Sequence, residues 1–259
     1  MQTDKVIDYI VQWLTKYCET AGLDGFVVGV SGGIDSAVTS ALCAQTGRQV
    51  HTLNMPIHQA SDQVSRADQH IDWLKQRFPK VQGTTIDLTE TFQTVTRTLP
   101  AEIQDGLTLA NMRSRLRMVA LYAFAGHYRM LVAGTGNKVE DFGVGFYTKY
   151  GDGGVDVAPI ADLMKSEVYE VGRTLGLVDA ILAAPPTDGL WQDNRTDESQ
   201  IGASYAELEW AMQHQDRLLD EQTLNARQKE ILQIYTRFHQ ANRHKMEPIP
   251  VAKIPDRFR

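Results

Sequence analysis

The sequence predicts an α/β fold in which a doubly wound parallel sheet is covered by helices on both faces. Short β-branched runs alternate along the chain with segments of helical periodicity, which is the pattern that βαβ units produce. The first such run, 26-FVVGV-30, passes directly into a helical pattern at Ile34 through a glycine-rich turn. The predicted strands lie at residues 26–30, 49–55, 81–88 and 130–133.

Predicted helices fill much of the remaining chain. They are placed at residues 4–20, 34–46, 162–175, 204–219 and 223–241, with one more that runs to about Phe78. A further helix is predicted where Met112, Leu116, Val119 and Ala123 form an apolar stripe, which we expect to face the core. Residues 143–159 and 183–198 are predicted as long loops, which in compact domains often act as lids over a site.

The composition is ordinary for a soluble globular domain, with 42% hydrophobic and 22% charged residues among 259. The formal net charge of −6 argues against a general nucleic-acid or membrane-surface binder, although a few local cations can still bind small anions. No apolar run approaches the ~20 residues that cross a bilayer, and the amino terminus does not resemble a signal peptide. Cys18 and Cys43 have no CxxC partner and no zinc spacing, which predicts reduced, buried thiols in the cytoplasm.

The segment 29-GVSGGIDS-36 is the first candidate site. It lies between the carboxyl end of a predicted strand and the amino end of a predicted helix, where unpaired amides and the helix dipole attract an anion. Two common phosphate motifs do not fit. No Lys follows Gly33 as a Walker A loop requires, and 134-GTGNKV-139 lacks the third glycine of a dinucleotide fingerprint.

The residue types of this loop suit phosphate. Gly32 and Gly33 let the backbone approach oxygens without a Cβ, and the hydroxyls of Ser31 and Ser36 can donate to the same anion. Asp35 would repel phosphates unless a divalent cation lay between them, so it is a candidate Mg²⁺ ligand. The alternative is that Asp35 only complements the helix dipole and that the glycines form an ordinary turn.

Two segments carry a resemblance to a known family. The string Ser31-Gly32-Gly33-Ile34-Asp35-Ser36 resembles SGGxDS, the pyrophosphate loop of the N-type ATP pyrophosphatases, which cleave ATP between the α and β phosphates. The segments 134-GTGNKVEDFGVGFYTKYGDGGVDVAPIADLMKSEV-168 and 185-PPTDGLWQDNRTDESQIGASYAELE-209, with the pair His244-Lys245, narrow the resemblance to the ammonia-dependent NAD synthetases. The resemblance implies the Rossmann-like fold of the adenine nucleotide alpha hydrolases and a homodimer. It also implies one synthetase domain over residues 1–259 without a fused glutaminase domain.

Carried over position by position, the resemblance implies three groups of site residues. The ATP group comprises Gly29, Val30, Ser31, Gly32, Gly33, Ile34, Asp35, Ser36, Thr135, Lys165 and Thr187. The group for deamido-NAD, the carboxylic-acid form of the dinucleotide, comprises Arg115, Lys149, Asp156, His244 and Lys245. Asp35 and Glu140 would share Mg²⁺, and with Lys165 they would form the catalytic group. Many bacterial members have Asp-His where this chain has Gly136-Asn137, so the path of this loop stays open.

Elementary geometry bears on several of these residues. Asn111 and Arg115 are four residues apart on a predicted helix and should meet one ligand from one face. Arg113 and Arg117 share a different face, where solvated side chains are the simpler prediction. Lys165 is predicted near the start of its helix, a position that the dipole disfavours unless an anion lies there.

Other features have simpler alternatives. Residues 147–154 could form only a glycine-rich hairpin turn, and His244-Lys245 could belong to a solvated basic tail. Glu140 alone could be an ordinary helix glutamate. Thr135 and Glu140 gain interest because they follow a predicted strand, at the sheet edge where ligands bind in open α/β folds.

The resemblance implies ATP-dependent amidation of deamido-NAD by ammonia. The nicotinate carboxylate would attack the α-phosphate of ATP to give an acyl-adenylate and pyrophosphate, and ammonia would then displace AMP to give NAD. A tRNA-modifying or GMP-forming member of the superfamily is the rival enzyme, although thiolating members usually need paired cysteines. A regulatory module that binds a nucleotide without chemistry is the rival from another class. A separate glutaminase subunit as the source of ammonia stays open.

Overall fold

A sheet of four parallel strands lies at the centre of the residues that the computed structural model describes, which are 1–187, 189–190, 196–215 and 224–259. The strands are β1 (Gly25–Gly29), β2 (Gln49–Asn54), β3 (Val81–Thr85) and β4 (Met130–Val132), in the spatial order β3-β2-β1-β4. Gly25 of β1 pairs with Gln49 on one side and with Met130 on the other. The chain therefore winds outward from β1 to β3 and then crosses to β4, which confirms the predicted doubly wound sheet.

Helices follow the strands, for the most part where periodicity predicts them. They are α1 (Thr3–Ala21), α2 (Ile34–Gln45), α3 (Ser61–Arg77), α4 (Thr89–Thr98), α5 (Gly106–Tyr128), α6 (Lys165–Thr174), α7 (Asp179–Leu182), α8 (Asp197–Ile201), α9 (Tyr205–His214) and α10 (Ala226–Met246). The predicted strand 81–88 ends early at Thr85, because the next residues lead into α4, a helix that the periodicity did not predict.

Side chains of β1 alternate between the two faces of the sheet, and both faces belong to the first, sheet-centred core. Phe26 and Val28 pack with Leu14 of α1 and Leu42 of α2 on one face. Val27 packs on the other face, in the part of this core to which Ala125 of α5 contributes. Helices therefore cover both faces, and the loops after the strand ends are left to form a site.

Helix α5 does not bury the face that its sequence predicts. Val119, a member of the predicted inward stripe, is 59% exposed, whereas Ser114 and Ala125 are buried. Apolar residues lie all round this helix, so periodicity alone does not select the buried face. The prediction of an inward stripe is wrong, and α5 presents exposed apolar side chains that include Leu107 and Tyr122.

A second core forms beyond the sheet, between the π-helical turn Val139–Val144 and helices α8, α9 and α10. This core holds the segment after β4 against the carboxyl-terminal helices. The predicted helix ends at residues 216–219 and 223, and residues 188 and 191–195 of the predicted loop, lie outside the described residues. No helix among the described ranges combines the length and apolar character that a bilayer crossing requires.

Candidate active site

A cavity of about 230 Å³ opens at the carboxyl ends of β1 and β4. The chain reverses its winding direction between these two strands, and such switch points are where open α/β sheets bind ligands. All of the residues predicted to bind ATP line this cavity except Gly32, and Glu140 lines it with them. The structure therefore brings together the loop after β1, the segment after β4, the start of α6 and Thr187.

The loop after β1 has the backbone that an anion site requires. Gly32 has a φ of +83°, and a Cβ there would lie 2.7 Å from the backbone oxygen of Gln63, so only glycine fits. Gly33 caps α2 without a side-chain hydrogen bond, which leaves the first amides of the helix available to an anion. The first three residues of α2, Ile34, Asp35 and Ser36, all line the cavity.

Ser36 lines the cavity, and its side chain forms hydrogen bonds within the loop. Its hydroxyl accepts from the Ser31 amide at 3.2 Å and donates to the carbonyl oxygen of Gly33 at 3.0 Å. The proton that we expected to reach an anion is thus engaged within the loop. Ser36 therefore stabilises the conformation of the loop, and the Ser31 hydroxyl is the more exposed of the two.

Three charged side chains meet at the floor of the cavity. The Lys165 ammonium lies 2.6 Å from Oδ2 of Asp35 and 3.0 Å from Oε1 of Glu140. The Lys165 side chain is 4% exposed and each carboxylate is 17% exposed. Burial alone would lower the pKa of Lys165, but the two carboxylates raise it above its ordinary value. Burial raises the pKa of Glu140, and Lys165 opposes this.

Lys165 is the first residue of α6, as predicted. The expected anionic partner is present, but it is a pair of carboxylates from the chain itself rather than a phosphate. A buried ammonium at a helix start is unfavourable unless opposite charge surrounds it. Asp35 and Glu140 supply that charge.

The departure at Gly136-Asn137 has a structural explanation. Asn137 is fully buried, and its amide donates to Oδ1 of Asp35 at 2.9 Å. Its side-chain oxygen accepts from the backbone amides of Val139 and Glu140, at 3.1 and 3.2 Å. A Cβ at Gly136 would overlap the carboxylate of Asp141, which occupies that space. Asn137 therefore ties the two carboxylate-bearing segments together.

Tyr205 and Asp197 belong to the site and were not predicted from the sequence. The Tyr205 hydroxyl donates to Oε1 of Glu140 at 2.5 Å and lies 3.1 Å from Oδ2 of Asp197. Asp197 also lines the cavity and is buried. Both residues lie in the segment 185–209 that carries the family resemblance, but an aromatic residue at the start of an amphipathic helix is more simply predicted to be a core residue.

The prediction that Arg113 and Arg117 are solvated is wrong. Arg117 donates from Nε to the backbone oxygen of Met55 at 2.9 Å and from Nη2 to Gln59 at 2.7 Å, and it lines the cavity. Arg113 donates to the backbone oxygen of Leu190 at 2.9 Å. Because the predicted apolar stripe of α5 faces outward, the arginine face turns toward the cavity and its loops.

Asn111 and Arg115 share one face, as predicted, and both contact the turn after residue 147. Asn111 accepts from the Thr148 hydroxyl at 2.7 Å, and Arg115 donates to the backbone oxygen of Lys149 at 3.3 Å. Asp152 of the same turn accepts from the Ser114 hydroxyl at 2.6 Å. Residues 147–154 form successive turns rather than a hairpin between strands.

The residues predicted to bind deamido-NAD lie outside the main cavity. The Lys149 ammonium donates to the backbone oxygen of His244 at 2.6 Å, and Lys245 donates to the backbone oxygens of Gly145 and Tyr147. These contacts gather Arg115, Lys149, His244 and Lys245 around one turn. Asp156 lies apart from them.

Asp156 is exposed on a different part of the surface. Its Oδ2 accepts from the backbone amide of Val132 at 2.8 Å, and its Oδ1 accepts from the Tyr122 hydroxyl of α5 at 3.0 Å. Asp156 therefore joins the sheet edge to the exposed apolar side of α5. The alternative of a freely solvated tail fits His244, which is exposed, but not Lys245, which is half-buried and bonded.

The carboxylate pair has the donor chemistry of a hard cation. Within the described residues, no group of three or more His, Cys, Asp or Glu side chains is placed to hold a metal by itself. Asp35 and Glu140 nevertheless direct oxygens at one point, which Lys165 now fills with positive charge. Mg²⁺ commonly binds through one or two carboxylates and the oxygens of a phosphate, so this arrangement fits it.

Comparison with known proteins identifies the family of this chain. The NAD synthase family model matches residues 6–249. A protein of Methanosarcina acetivorans named NH(3)-dependent NAD(+) synthetase is 36% identical over 265 aligned positions, which cover 98% of this chain and all of that protein. The protein of the same name from Mannheimia succiniciproducens is 34% identical, over 99% of this chain and 98% of its own length.

Solved structures of an NMN synthetase and an NAD synthetase are also similar to this chain. The NMN synthetase of Francisella tularensis superposes with a TM-score of 0.82 at 31% identity, over 99% of both chains. The NH3-dependent NAD synthetase of Campylobacter jejuni superposes with a TM-score of 0.79 at 23% identity, over 98% of this chain and all of that one, and supports the fold. On the family match and the near-complete coverage of its relatives, this chain belongs to the NAD synthase family.

Proposed function

We propose that this protein catalyses the ATP-dependent amidation of deamido-NAD to NAD with ammonia, and releases AMP and pyrophosphate. The observation that carries the proposal is the charge cluster of Asp35, Glu140 and Lys165 beside a glycine loop at the end of β1. A cavity that only bound a nucleotide would not need three desolvated charges at its floor. The family of the chain supports the same reaction.

The first step activates the acid. An oxygen of the nicotinate carboxylate forms a bond to the α-phosphorus of ATP, the bond from that phosphorus to the bridging oxygen breaks, and pyrophosphate leaves with the electron pair. The amides at the start of α2 would stabilise the phosphate oxygens, and Lys165 would neutralise charge that develops on the leaving group. Thr135 and Thr187 would contact ATP from the opposite wall of the cavity.

The second step forms the amide. Ammonia attacks the activated carbonyl carbon, the bond to the AMP oxygen breaks, and the nitrogen loses a proton. Water competes for the same carbon, so the site has to exclude it. The segment 143–157 and the described part of 185–198 are candidate lids, because both border the cavity.

Mg²⁺ is the divalent cation that we propose for this site, with Asp35 and Glu140 as its protein ligands. When bound, it would supply positive charge that offsets the negative charge of the phosphates, and the two carboxylates would hold it there. Asn137 would orient Asp35, since it donates to Oδ1 and leaves Oδ2 directed at the cavity floor.

The residues proposed for deamido-NAD form two groups, and a homodimer would reconcile them. Arg115, Lys149, His244 and Lys245 surround one turn, whereas Asp156 lies beside Tyr122 on the exposed apolar side of α5. An exposed apolar helix face commonly marks a protein interface. A second copy of the chain on α5 would place the second substrate next to the interface.

We keep three further predictions as part of the proposal. Residues 1–259 would act as one synthetase domain, because the two cores and the cavity connect the described elements from α1 to α10. The cytoplasm remains our prediction for its location, supported by the free and buried thiols of Cys18 and Cys43. Ammonia would be the direct nitrogen donor.

The test is incubation of the protein with ATP, Mg²⁺, deamido-NAD and either ammonium or glutamine, with NAD and AMP measured. We expect equal amounts of NAD and AMP with ammonium, and no NAD with glutamine alone. Exchange of labelled pyrophosphate into ATP that requires the acid substrate would demonstrate the adenylate. ATP binding without exchange and without NAD would favour a nucleotide-binding module instead.

A second candidate function is amidation of the mononucleotide acid to NMN. It is favoured by the likeness to the Francisella tularensis protein, whose structure is titled NMN synthetase. The chemistry at the adenylating cavity would be the same, and the substrates would differ only in the part that reaches beyond it. Competition between deamido-NAD and nicotinate mononucleotide in one assay distinguishes the two by the ratio of kcat/KM values.

A further inference from the structure

We propose that Tyr205 is a positioning residue of the cation site, which holds the Glu140 carboxylate through its hydroxyl and supports Lys165 on its ring. The proposal rests on the proposed function in one respect, namely that a divalent cation enters this site with the nucleotide. It adds a residue of α9, Tyr205, which lies in the segment 185–209 that carries the family resemblance but had no role predicted for it.

The backbone of Tyr205 is fixed before its side chain reaches the site. Ser204 caps α9 by accepting from the Glu207 amide at 3.3 Å, and Glu207 accepts from the Ser204 amide at 2.8 Å. The Tyr205 amide itself donates to Oε1 of Glu198 at 2.8 Å. The Tyr205 ring therefore projects from a helix start that is held by hydrogen bonds, and Tyr205 is 6% exposed.

Tyr205 contacts two members of the charge cluster, Glu140 and Lys165. Its hydroxyl lies 2.5 Å from Oε1 of Glu140, and the Lys165 ammonium lies 4.6 Å from the centre of its ring. The same glutamate oxygen accepts from Lys165 at 3.0 Å. A cation over an aromatic face is stabilised by the electrons of the ring, and a short hydrogen bond to a carboxylate is among the stronger ones.

The hydroxyl has one proton and two carboxylates within reach. Oε1 of Glu140 is the nearer acceptor, and Oδ2 of Asp197 is 3.1 Å away on the other side. Glu140 lies in a π-helical turn, and its side chain has three torsions that would be free to rotate in an open cavity. The hydrogen bond from the Tyr205 hydroxyl restricts rotation of the Glu140 side chain and leaves Oε2 of that carboxylate available to a cation.

A purely structural role is the alternative, because Tyr205 also packs in the second core with Leu208, Ile231 and Tyr235. The two roles depend on different atoms. The ring serves the packing and the contact with Lys165, whereas only the hydroxyl reaches Glu140. Replacement of Tyr205 by Phe removes the hydroxyl alone and separates them.

The experiment compares Tyr205→Phe with Tyr235→Phe in the full chain. Tyr235 lies in the same core and its ring stacks on His239 at 5.8 Å, so its variant is a matched control for the loss of a buried hydroxyl. Mn²⁺ binding is measured by the electron paramagnetic resonance of free Mn²⁺, with a non-hydrolysable ATP analogue present. The Mg²⁺ dependence of pyrophosphate release is measured in parallel.

We expect Tyr205→Phe to weaken Mn²⁺ binding by about tenfold, the size expected for a lost hydrogen bond to a charged group. The Mg²⁺ concentration at half-maximal rate should rise by a similar factor, while kcat at saturating Mg²⁺ should stay within about threefold of wild type, because the other site groups remain. Nucleotide binding measured in the presence of a chelator should not change. Tyr235→Phe should leave all of these quantities at their wild-type values.

Glu140→Asp completes a double-mutant cycle with Tyr205→Phe, since it withdraws the carboxylate from the Tyr205 hydroxyl by one methylene. It should show the same weakening of Mn²⁺, and Tyr205→Phe should add little in its background. An unchanged Mn²⁺ titration for Tyr205→Phe, or equal losses in Tyr205→Phe and Tyr235→Phe, would overturn the proposal. Weaker Mn²⁺ binding in a protein that forms no NAD would support the role of Tyr205 and overturn the proposed function.

Discussion

The Lys165 ammonium lies 2.6 Å from Oδ2 of Asp35 and fills the space between that carboxylate and Glu140. The three groups come from α6, α2 and the π-helical turn, so the tertiary fold and no local motif assembles them. Two desolvated carboxylates repel each other unless a positive charge separates them. Lys165 supplies that charge, and a divalent cation that bound at the same point would require the ammonium to move.

Replacement of Lys165 by Met tests this relationship. Without the ammonium, the two carboxylates should bind Mn²⁺ about tenfold more tightly in the absence of nucleotide, because an internal competing cation is gone. Pyrophosphate release should fall by about a thousandfold or more, since a charge that stabilises the transition state is lost. Lys75→Met, which removes only an exposed pair with Asp72, is the control. Unchanged Mn²⁺ affinity in Lys165→Met would contradict the relationship.

Loss of either carboxylate should abolish chemistry while the fold survives. In Asp35→Ala or Glu140→Ala, one carboxylate still faces Lys165, so the ammonium is not left buried without compensation. Pyrophosphate release at saturating ATP should drop to background, and circular dichroism should match the wild type. Asp162→Ala serves as the control, because its side chain is 95% exposed. Full turnover by either site variant at saturating Mg²⁺ would remove the metal assignment.

The parts of the site that follow a strand directly could be predicted from the sequence. The loop after β1 carries its chemistry in consecutive residues, and Thr135 and Glu140 follow β4 closely, so strand order alone brings them to one edge. Lys165 was predictable from its place at a helix start. Its pairing with Asp35 and Glu140 was not, because it depends on how α6 packs against α2.

The features that were missed depend on which face of a helix is buried. Helix α5 is apolar on several sides, so its stripe through Val119 predicted the wrong orientation and hid the role of Arg117 at the cavity. Tyr205 reaches Glu140 across 65 positions of sequence, and the resemblance of the segment around it does not indicate which side chain it contacts. Contacts between side chains that are distant in sequence produce no regular spacing of residues that sequence analysis could detect.

Arg115 and Arg117 of α5 should each affect the binding of a different substrate. Arg115 contacts the turn that bears Lys149, whereas Arg117 lines the cavity and bonds to Met55 and Gln59. Arg115→Ala should raise the KM for deamido-NAD by about tenfold or more and leave that for ATP nearly unchanged. Arg117→Ala should have the opposite pattern. Equal effects of Arg115→Ala on both substrates would contradict its placement.

The buried pair of His70 and Ser40 should make stability depend on pH. Ser40 donates to the Ser36 carbonyl at 2.8 Å, so Nε2 of His70 donates to the Ser40 oxygen at 2.9 Å, and Nδ1 has no partner among the described residues. Burial lowers the pKa of His70 from 6.5 to about 4. The neutral ring is therefore the form that the fold accommodates, one turn of α2 behind the phosphate loop.

The sign of the effect follows from which state takes up the proton first. As the pH falls below 6.5, the unfolded chain binds a proton on His70 while the folded chain does not until about pH 4. The contribution of His70 is thus complete above pH 6.5 and is lost between pH 6.5 and 4, by up to about 3 kcal/mol. Urea unfolding of wild type and His70→Gln across this range should show a steeper fall for the wild type. Parallel curves would exclude the effect.

The exposed side of α5 should hold two copies of the chain together. Leu107 and Val119 are 62% and 59% exposed, and Tyr122 on the same helix bonds to Asp156, a residue proposed for the second substrate. Val119→Glu would place a charge in this apolar contact, which costs several kcal/mol when it is left unpaired, and should convert the dimer to a monomer. Light scattering after size exclusion measures the mass directly.

Tyr9→Glu on α1 is the matched control, since Tyr9 is 70% exposed on a different face of the molecule and should leave the dimer intact. The monomeric Val119→Glu protein should keep its ATP cavity, because Val119 does not line it. It should still bind ATP with wild-type affinity, while its KM for deamido-NAD rises, since Asp156 and Tyr122 border the lost interface. A wild-type monomer, or a Val119→Glu dimer with unchanged kinetics, would place the interface elsewhere and separate the second substrate from it.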